Sequence, residues 1–184
     1  MNTVSSFLSQ IASWKTLLFF FALDMSFNLY FLKNAESRIN ALSGNENGVI
    51  DLTFWIKPQK TLDLVAAYSP EARSFYAHTE LTTDIIYPIV YAFFFGIVLT
   101  LLFRNKSYSP FYTVNVLPFV SLIFDYLENF SIVALLKSYP TQSHTLAWIC
   151  EIVKMIKWLS IGVAMVFILY GLARWIIARF YVAK

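Results

Sequence analysis

The stretch VNVLPFVSLIFDYLENFSIVALL, residues 114–136, decides the fold of this chain. It is apolar and long enough to cross a bilayer, which takes about 20 residues of helix. Yet Asp125, Glu128 and Asn129 lie near its centre. A central Asp costs about 2.5–3.5 kcal/mol on insertion into hydrocarbon. Because the spacing i, i+3, i+4 puts the three side chains on one helical face, we expect that face to turn inward in a bundle.

The composition is that of a multi-pass membrane protein. Of the 184 residues, 58% are hydrophobic and 14% are charged, against roughly 45–50% and about 25% in ordinary globular proteins. The formal net charge is only +3, and the basic residues cluster at the ends of apolar segments. This distribution argues against a nucleic-acid partner and for signals of membrane orientation.

Four apolar segments reach the length of a membrane span. We therefore predict an all-α membrane protein of one domain, residues 1–184, which forms a four-helix transmembrane bundle with an extracytoplasmic cap between helices 1 and 2. The first segment lacks a small-residue cleavage pattern, so it is not interpreted as a signal peptide. The predicted spans are residues 14–32, 83–103, 114–136 and 146–175, and the predicted cap is residues 33–82.

The basic residues predict the orientation. Arg104 and Lys106 lie in the short loop between the second and third spans, Arg174 lies at the end of the fourth span, and Arg179 and Lys184 follow it. On the other side, glutamates dilute the basic residues. We expect both termini in the cytoplasm and the cap outside.

The predicted cap carries signals of helical structure. Ser69, Pro70 and Glu71 have the order of an N-cap, a first helical position and an acidic first turn. We expect residues 61–78 to be helical and packed on the bundle, since their apolar side chains would otherwise form an exposed patch. VIDLTFWI, residues 49–56, is expected to lie on the membrane surface or to pair as a short strand. The expected anchors are Leu64, Val65, Tyr68, Phe75 and Tyr76.

The second span offers a matching polar face. Asp84, Tyr87 and Tyr91 are spaced i, i+3 and i+7. Pro88 has no N–H, so it leaves the carbonyl of Asp84 without its helical donor and favours a local polar concavity. We predict that this face meets the polar face of the third span.

The first and fourth spans add further polar residues, which the expected topology places in the outer half of the membrane. Lys154 and Lys157 are the candidate counter-ions of the carboxylates, and Asp24 and Asn28 share a face of the first span. The predicted ligand-binding residues are Asp125, Glu128, Asn129, Asp84, Tyr87, Tyr91 and Lys154.

Two interpretations of these residues stay open. They can line a functional cavity, as intramembrane ionisable groups often do, or they can hold helices together by hydrogen bonds worth roughly 0.6 kcal/mol each. For Glu151, Lys154 and Lys157 a solvated extension of the helix is a further alternative, because the fourth segment is longer than a bilayer requires.

Several chemistries are excluded or unsupported. Cys150 is the single cysteine, so the chain has no C-x-x-C pair for thiol redox chemistry, and we interpret it as inert packing. His78 and His144 lie outside the predicted spans, which excludes an intramembrane haem held by two histidines. A metal site from these histidines with Glu80 and Asp84 matches no known ligand spacing. No cofactor is predicted.

Two resemblances bear on function. ARSFYAHTELTTDIIYPIVYAFFFG, residues 72–96, followed by LPFVSLIFDYLENFSI, residues 117–132, resembles a pattern in small bacterial four-span membrane proteins, which implies a bacterial inner membrane. The architecture is similar to the EXPERA family of sterol isomerases and emopamil- and sigma-2-type lipophile-binding proteins. Members of that family use intramembrane carboxylates to meet a ligand amine or carbocation, and the resemblance implies Glu80 or Asp84 in that role. The catalytic histidine of the family has no counterpart within a predicted span.

We predict a non-enzymatic integral membrane protein that binds an apolar or cationic ligand, or a partner helix, in a polar cavity. One alternative is an accessory subunit of a larger membrane complex. Another is a lipid- or isoprenoid-modifying enzyme in which Asp125 or Glu128 is the general acid or base. The expected partners are membrane lipid, a lipophilic ligand, and a membrane protein or a second copy of the chain.

Overall fold

The structure is a computed structural model that describes residues 3–44, 48–103 and 113–182. These residues are mostly helical, and no strand occurs among them. Four of the helices are long and apolar enough to cross a membrane, namely Trp14–Ser43, Pro70–Phe103, Val114–Ser138 and His144–Ala178. The predicted all-α, four-span membrane bundle is confirmed.

The helices follow one another with short connections. The described elements are α1 (Thr3–Ile11), α2 (Trp14–Ser26), a π-helical turn (Phe27–Phe31), α3 (Leu32–Ser43), a 3₁₀ turn (Ile50–Leu52), α4 (Pro58–Ala67), α5 (Pro70–Glu80), α6 (Thr83–Phe103), a 3₁₀ turn (Val114–Val116), α7 (Leu117–Ser138) and α8 (His144–Val182).

The predicted limits of a span match those of the observed helix best where the apolar sequence and the helix end at the same residue. The second span coincides with α6. The first was expected to end at residue 32, but its helix continues through the π-helical turn to Ser43, because LKNAESRINAL is polar yet rich in helix formers. The basic residues Arg104, Lys106 and Lys184, on which the orientation depends, lie outside the described residues.

The N-terminal helix α1 is an element that the sequence reading did not include. It packs on α6 at the end away from the cap, and Leu8 is fully buried there. Gly96 permits this close approach, since a Cβ at that position would lie 3.1 Å from the carbonyl oxygen of Asn115 and 3.2 Å from Cδ1 of Leu8. Helix α1 therefore packs against the end of the bundle opposite the cap.

At the other end, the described residues 48–82 form the cap, with α4 and α5 as its helices. Tyr68 and Tyr76 are buried in its core, and Phe75 packs against that core. The predicted start of α5 is confirmed, because Ser69 Oγ accepts a hydrogen bond from the backbone N–H of Ala72 at 3.0 Å. Residues 49–56 form a 3₁₀ turn and an irregular segment rather than a strand.

Candidate functional site

The polar face of α7 turns into the bundle, where its carboxylates meet a lysine of α8. Glu128 Oε2 forms an ion pair with Lys157 Nζ, and Asp125 Oδ2 lies 4.0 Å from the same ammonium. Tyr91 of α6 donates a hydrogen bond to Asp125 Oδ2 at 2.9 Å. All four side chains are buried. We call this group the Lys157 network, and it joins α6, α7 and α8.

Asn129, the third member of the polar face, supplies the hydrogen bond that Pro88 removes from α6. The proline leaves the carbonyl of Asp84 without its i+4 donor, and Asn129 Nδ2 donates to that oxygen at 2.9 Å. The hydroxyl of Tyr126 donates to the next carbonyl, that of Ile85, at 2.8 Å. Two side chains of α7 thus donate to successive carbonyls of α6, and one of these carbonyls is the one that Pro88 leaves without a helical donor.

The second buried ion pair of α8 holds the cap. Lys154 Nζ and Glu151 Oε1 are 2.6 Å apart, and both side chains are 0% exposed. Glu151 accepts hydrogen bonds from Thr61 Oγ1 at 2.6 Å and from the backbone N–H of Lys57 at 3.1 Å. Lys154 donates to Thr53 Oγ1 at 2.6 Å. The residues are buried under the cap, so this pair, which we call the cap latch, is not a solvated extension, and Lys154 is occupied away from Asp125.

Tyr87 faces the first span. Asn28, in the π-helical turn, donates from Nδ2 to the hydroxyl of Tyr87 at 3.0 Å and to the carbonyl of Asp24 at 2.9 Å. The rings of Tyr87 and Tyr91 are 5.4 Å apart. Of the seven residues predicted to bind ligand, Tyr87 therefore belongs to the contact between the first span and α6.

A cavity of about 270 Å³ lies between α3, the cap and the start of α6. Its lining is acidic, since only Lys33 is basic among the described residues that line it. Apolar side chains from α3 and from residues 49–52 complete the wall. We call it the acidic cavity, and its four carboxylates are Glu36, Asp51, Glu80 and Asp84.

Glu80 is the most deeply buried of these carboxylates. Its side chain is 1% exposed, and Oε2 has no hydrogen-bond partner within the part of the chain that the structure describes. It lies one helical turn before Asp84 and within electrostatic range of Asp51, Glu128 and Lys157. Carboxylates thus outnumber ammonium groups at the end of the cavity next to the Lys157 network.

Asp51, in contrast, is held in place. Tyr76 donates its hydroxyl hydrogen to Asp51 Oδ1 at 2.6 Å and accepts from the backbone N–H of Ile50 at 2.9 Å. This buried tyrosine fixes the 3₁₀ turn against α5, so the carboxylate of Asp51 lines the cavity from the cap side.

The structure separates the residues that the sequence predicts as one ligand-binding site. Asp84 lines the acidic cavity, whereas Asp125, Glu128 and Tyr91 form the Lys157 network next to it. Glu80 entered the sequence analysis only through a metal site and the EXPERA resemblance. A usable signal was its spacing of four residues before Asp84, which continues one acidic face across the junction of α5 and α6.

The acidic side chains do not have the arrangement of a metal centre. Among residues 3–44, 48–103 and 113–182 no group of three His, Cys, Asp or Glu side chains could hold a metal ion. Cys150 is buried in the core beneath the cap.

No protein-family model matches the chain, and neither the curated proteins nor the solved structures include a significant match to it.

Proposed function

We propose that this integral membrane protein binds an organic cation with an apolar body in the acidic cavity, and that it does not transform the bound molecule. The observation that carries the proposal is the carboxylate of Glu80, which lines the cavity, is 1% exposed and leaves Oε2 unpartnered among the described residues. Burial of such a group is costly unless it is paired. An ammonium ligand supplies both the opposite charge and hydrogen-bond donors.

The charge of the lining favours a cation over an anion or a neutral molecule. Four carboxylates and one lysine line the cavity. The buried ammonium of Lys157, which lies within electrostatic range of Glu80, is already shared by Glu128 and Asp125. Electrostatic attraction in this buried setting is stronger than in water, so a bound cation would lower the free energy of the whole group.

The shape and the remaining lining favour an organic cation. Leu32, Ile39 and Leu52 form apolar wall beside the carboxylates. A volume of about 270 Å³ is near the lower end of small-molecule pockets, which range over roughly 300–1,000 Å³. The resemblance to EXPERA proteins, in which carboxylates meet a ligand amine, supports the same ligand class.

The position of the other carboxylates supports the proposal of binding without catalysis. In the enzymatic alternative, Asp125 or Glu128 would exchange a proton with substrate. In this structure Glu128 is fully buried and paired with Lys157, and Asp125 accepts from Tyr91. Neither belongs to the lining of the acidic cavity, so we assign both to the packing of α6, α7 and α8.

The test is equilibrium binding to the protein in phosphatidylcholine nanodiscs. The probe is radiolabelled dodecylammonium, a primary ammonium with three N–H donors, with empty nanodiscs subtracted, and the competitors are the unlabelled cation and dodecanol. A charged hydrogen-bonded contact is worth about 1.5–3 kcal/mol, so we expect Glu80→Gln to weaken binding roughly tenfold or more. The matched control Asp63→Asn removes an exposed cap carboxylate and should bind like the wild type.

Two results would contradict this function. One is equal affinity of Glu80→Gln and the wild type, and the other is displacement of the cation by dodecanol at the same concentration. Because the amide replaces an unpartnered buried carboxylate, Glu80→Gln should fold at least as well as the wild type.

We further infer that both termini are cytoplasmic and that the acidic cavity lies in the outer half of the membrane. The sequence supports this through Arg104 and Lys106 in the short loop and through the basic C-terminus. The resemblance to small bacterial membrane proteins supports an inner-membrane location. With this orientation, the cavity would receive its ligand from the outer leaflet or from outside.

A partner transmembrane helix is a second candidate, favoured by the exposure of the first span. Only 6% of its apolar window is buried, against 44%, 50% and 33% in the other three spans. The exposed side includes Leu18, Phe19 and Phe21. Gentle solubilisation followed by native gel analysis tests this role, since a stoichiometric partner or a second copy of the chain would shift the mass, and a monomer would oppose it.

A further inference from the structure

Helix α5 has two faces of opposite chemical character. Tyr76, Thr79 and Glu80 face the acidic cavity. The other face lines a second cavity of about 510 Å³, which lies between α5 and the C-terminal end of α7. We call this second cavity the basic groove. It is lined by Arg73, Ser74 and His78 of α5 and by Leu136, Lys137 and Tyr139 at the end of α7.

The charge of the side chains that line the groove favours an anion. Arg73, His78 and Lys137 line it, and none of the described residues in its wall is acidic. Ser74 adds a hydroxyl group that can donate a hydrogen bond. Its polar chemistry is thus opposite to that of the acidic cavity on the other side of the same helix.

The guanidinium of Arg73 is held rigidly in this wall. Its Nη1 donates to the carbonyl of Val65 at 3.2 Å and to that of Tyr68. Its planar group also lies 4.0 Å from the centre of the Tyr139 ring. A fixed guanidinium loses little side-chain entropy on binding an anion, so the groove is preorganised for a phosphate.

The groove lies beside the ends of two long apolar helices, α6 and α7. Lys137 is in the last turn of α7, and Leu81 connects α5 to α6, which starts at Thr83. Lys137 is thus at the end of α7 and Leu81 just precedes α6, where the predicted spans place the boundary of the membrane. Leu136 and Leu81 provide apolar wall beside the basic groups, which suits a molecule that is charged at one end and apolar at the other.

We propose that the basic groove binds the phosphate of an anionic phospholipid headgroup. Arg73 and Lys137 supply the positive charges, Ser74 and His78 supply hydrogen-bond donors, and the first acyl carbons lie along Leu81 and Leu136. Basic pockets between transmembrane helices recognise anionic headgroups in this way. The site is separate from the acidic cavity, and it would anchor the cap at the membrane surface independently of any cation.

The experiment is calorimetric titration of the delipidated full chain in non-ionic detergent. The probes are dioctanoyl phosphatidylglycerol, dioctanoyl phosphatidylcholine and inorganic phosphate. We expect saturable binding of the phosphatidylglycerol, at least tenfold weaker binding of the phosphatidylcholine, and no saturation by inorganic phosphate in the same range. Equal affinity for the two lipids would overturn the proposal, and so would inorganic phosphate that binds as tightly as the anionic lipid.

Variants locate the site. Reversal of the charge in Lys137→Glu should weaken phosphatidylglycerol binding by more than about tenfold, since each basic residue near an anionic lipid contributes roughly fivefold. Lys137→Arg should keep it within about twofold. The matched control Lys60→Glu makes the same change in net charge at an exposed position of α4 and should have no effect. Unchanged binding by Lys137→Glu, or an equal loss in Lys60→Glu, would overturn the assignment to this groove.

The lipid comparison on the wild-type protein needs no variant, so it tests the proposal even if Lys137→Glu fails to accumulate. Lys137 is exposed, and the helical content of each variant by circular dichroism should equal that of the wild type.

Discussion

Asn129 Nδ2 donates a hydrogen bond to the backbone carbonyl of Asp84, 2.9 Å away on the neighbouring helix. That carbonyl lost its own helical donor to Pro88. The amide in the middle of the third span and the proline in the second are therefore two halves of one arrangement. The amide and the proline would each destabilise a helix on its own, but together they form a specific hydrogen bond between α6 and α7.

This pairing predicts a non-additive pair of substitutions. Asn129→Leu leaves a buried carbonyl without a partner and should lower the free energy of unfolding by about 1–3 kcal/mol. In a Pro88→Ala background the restored N–H can serve the Asp84 carbonyl, so the same Asn129→Leu change should cost clearly less. Unfolding of the four proteins in detergent, followed by circular dichroism, measures the coupling. Additive effects within about 0.5 kcal/mol would show that the two residues act independently.

The Lys157 network predicts a loss that neutral partners can rescue. Lys157→Gln leaves Glu128 and Asp125 buried without their cation and should destabilise the fold by about 3–5 kcal/mol. The triple variant Lys157→Gln, Glu128→Gln, Asp125→Asn removes all the charges and should recover most of this stability. It should also keep binding of dodecylammonium, because these residues pack helices beside the acidic cavity.

Thermal unfolding and the nanodisc assay together check that prediction. A triple variant that folds but no longer binds the cation would move the ligand contact from Glu80 to the Lys157 network. The exposed Lys60 provides the control, since Lys60→Gln should change neither measurement.

The cap latch predicts where proteases cut. Wild-type protein in detergent should resist trypsin at Arg73, which is partly buried and bonded to the carbonyls of Val65 and Tyr68. Glu151→Ala removes the acceptor of Thr61 and leaves Lys154 buried without its carboxylate, so cleavage within the cap should become faster. Mass spectrometry of timed digests identifies the sites. Equal digestion of the two proteins would mean that the latch does not hold the cap.

The inferred orientation predicts a labelling pattern in intact cells. A cysteine introduced at Asn45 should react with an impermeant maleimide, and one at Ser107 should not, since these positions lie in loops on opposite sides of the bundle in the predicted topology. The native Cys150 is buried, so the parent chain should give little background. The reverse pattern would place the acidic cavity in the cytoplasmic half.

The sequence predicted the parts of the fold that depend on local chemistry. The inward turn of Asp125, Glu128 and Asn129 follows from the cost of polar groups in lipid, and the free carbonyl of Asp84 follows from Pro88 alone. Lys157 was one of two candidate counter-ions, but periodicity could not decide between it and Lys154. The choice depends on how the cap lies against α8, which is a long-range contact.

The acidic cavity was harder to predict for the same reason. Asp51 belongs to residues 49–56, which the sequence predicted as a surface segment or a short strand, and a hydrogen bond from Tyr76 of α5 holds it at the cavity. The first helix continues to Ser43 and provides the cavity wall at Glu36. The sequence prediction missed this continuation because it ended the helix where the apolar residues end. Hydropathy indicates the limit of the membrane, whereas helix propensity indicates the limit of the helix.

The most direct test of the central claim is to map a bound cation by photolabelling. The probe is an alkylammonium with a diazirine near its charged end, applied to the protein in phosphatidylcholine nanodiscs and located by mass spectrometry. If the acidic cavity is the site, label should appear on residues 32–39 or 49–52, should disappear with excess dodecylammonium, and should be lost in Glu80→Gln but not in Asp63→Asn. Label confined to the lipid-facing side chains of the spans, or label that persists unchanged in Glu80→Gln, would contradict the account.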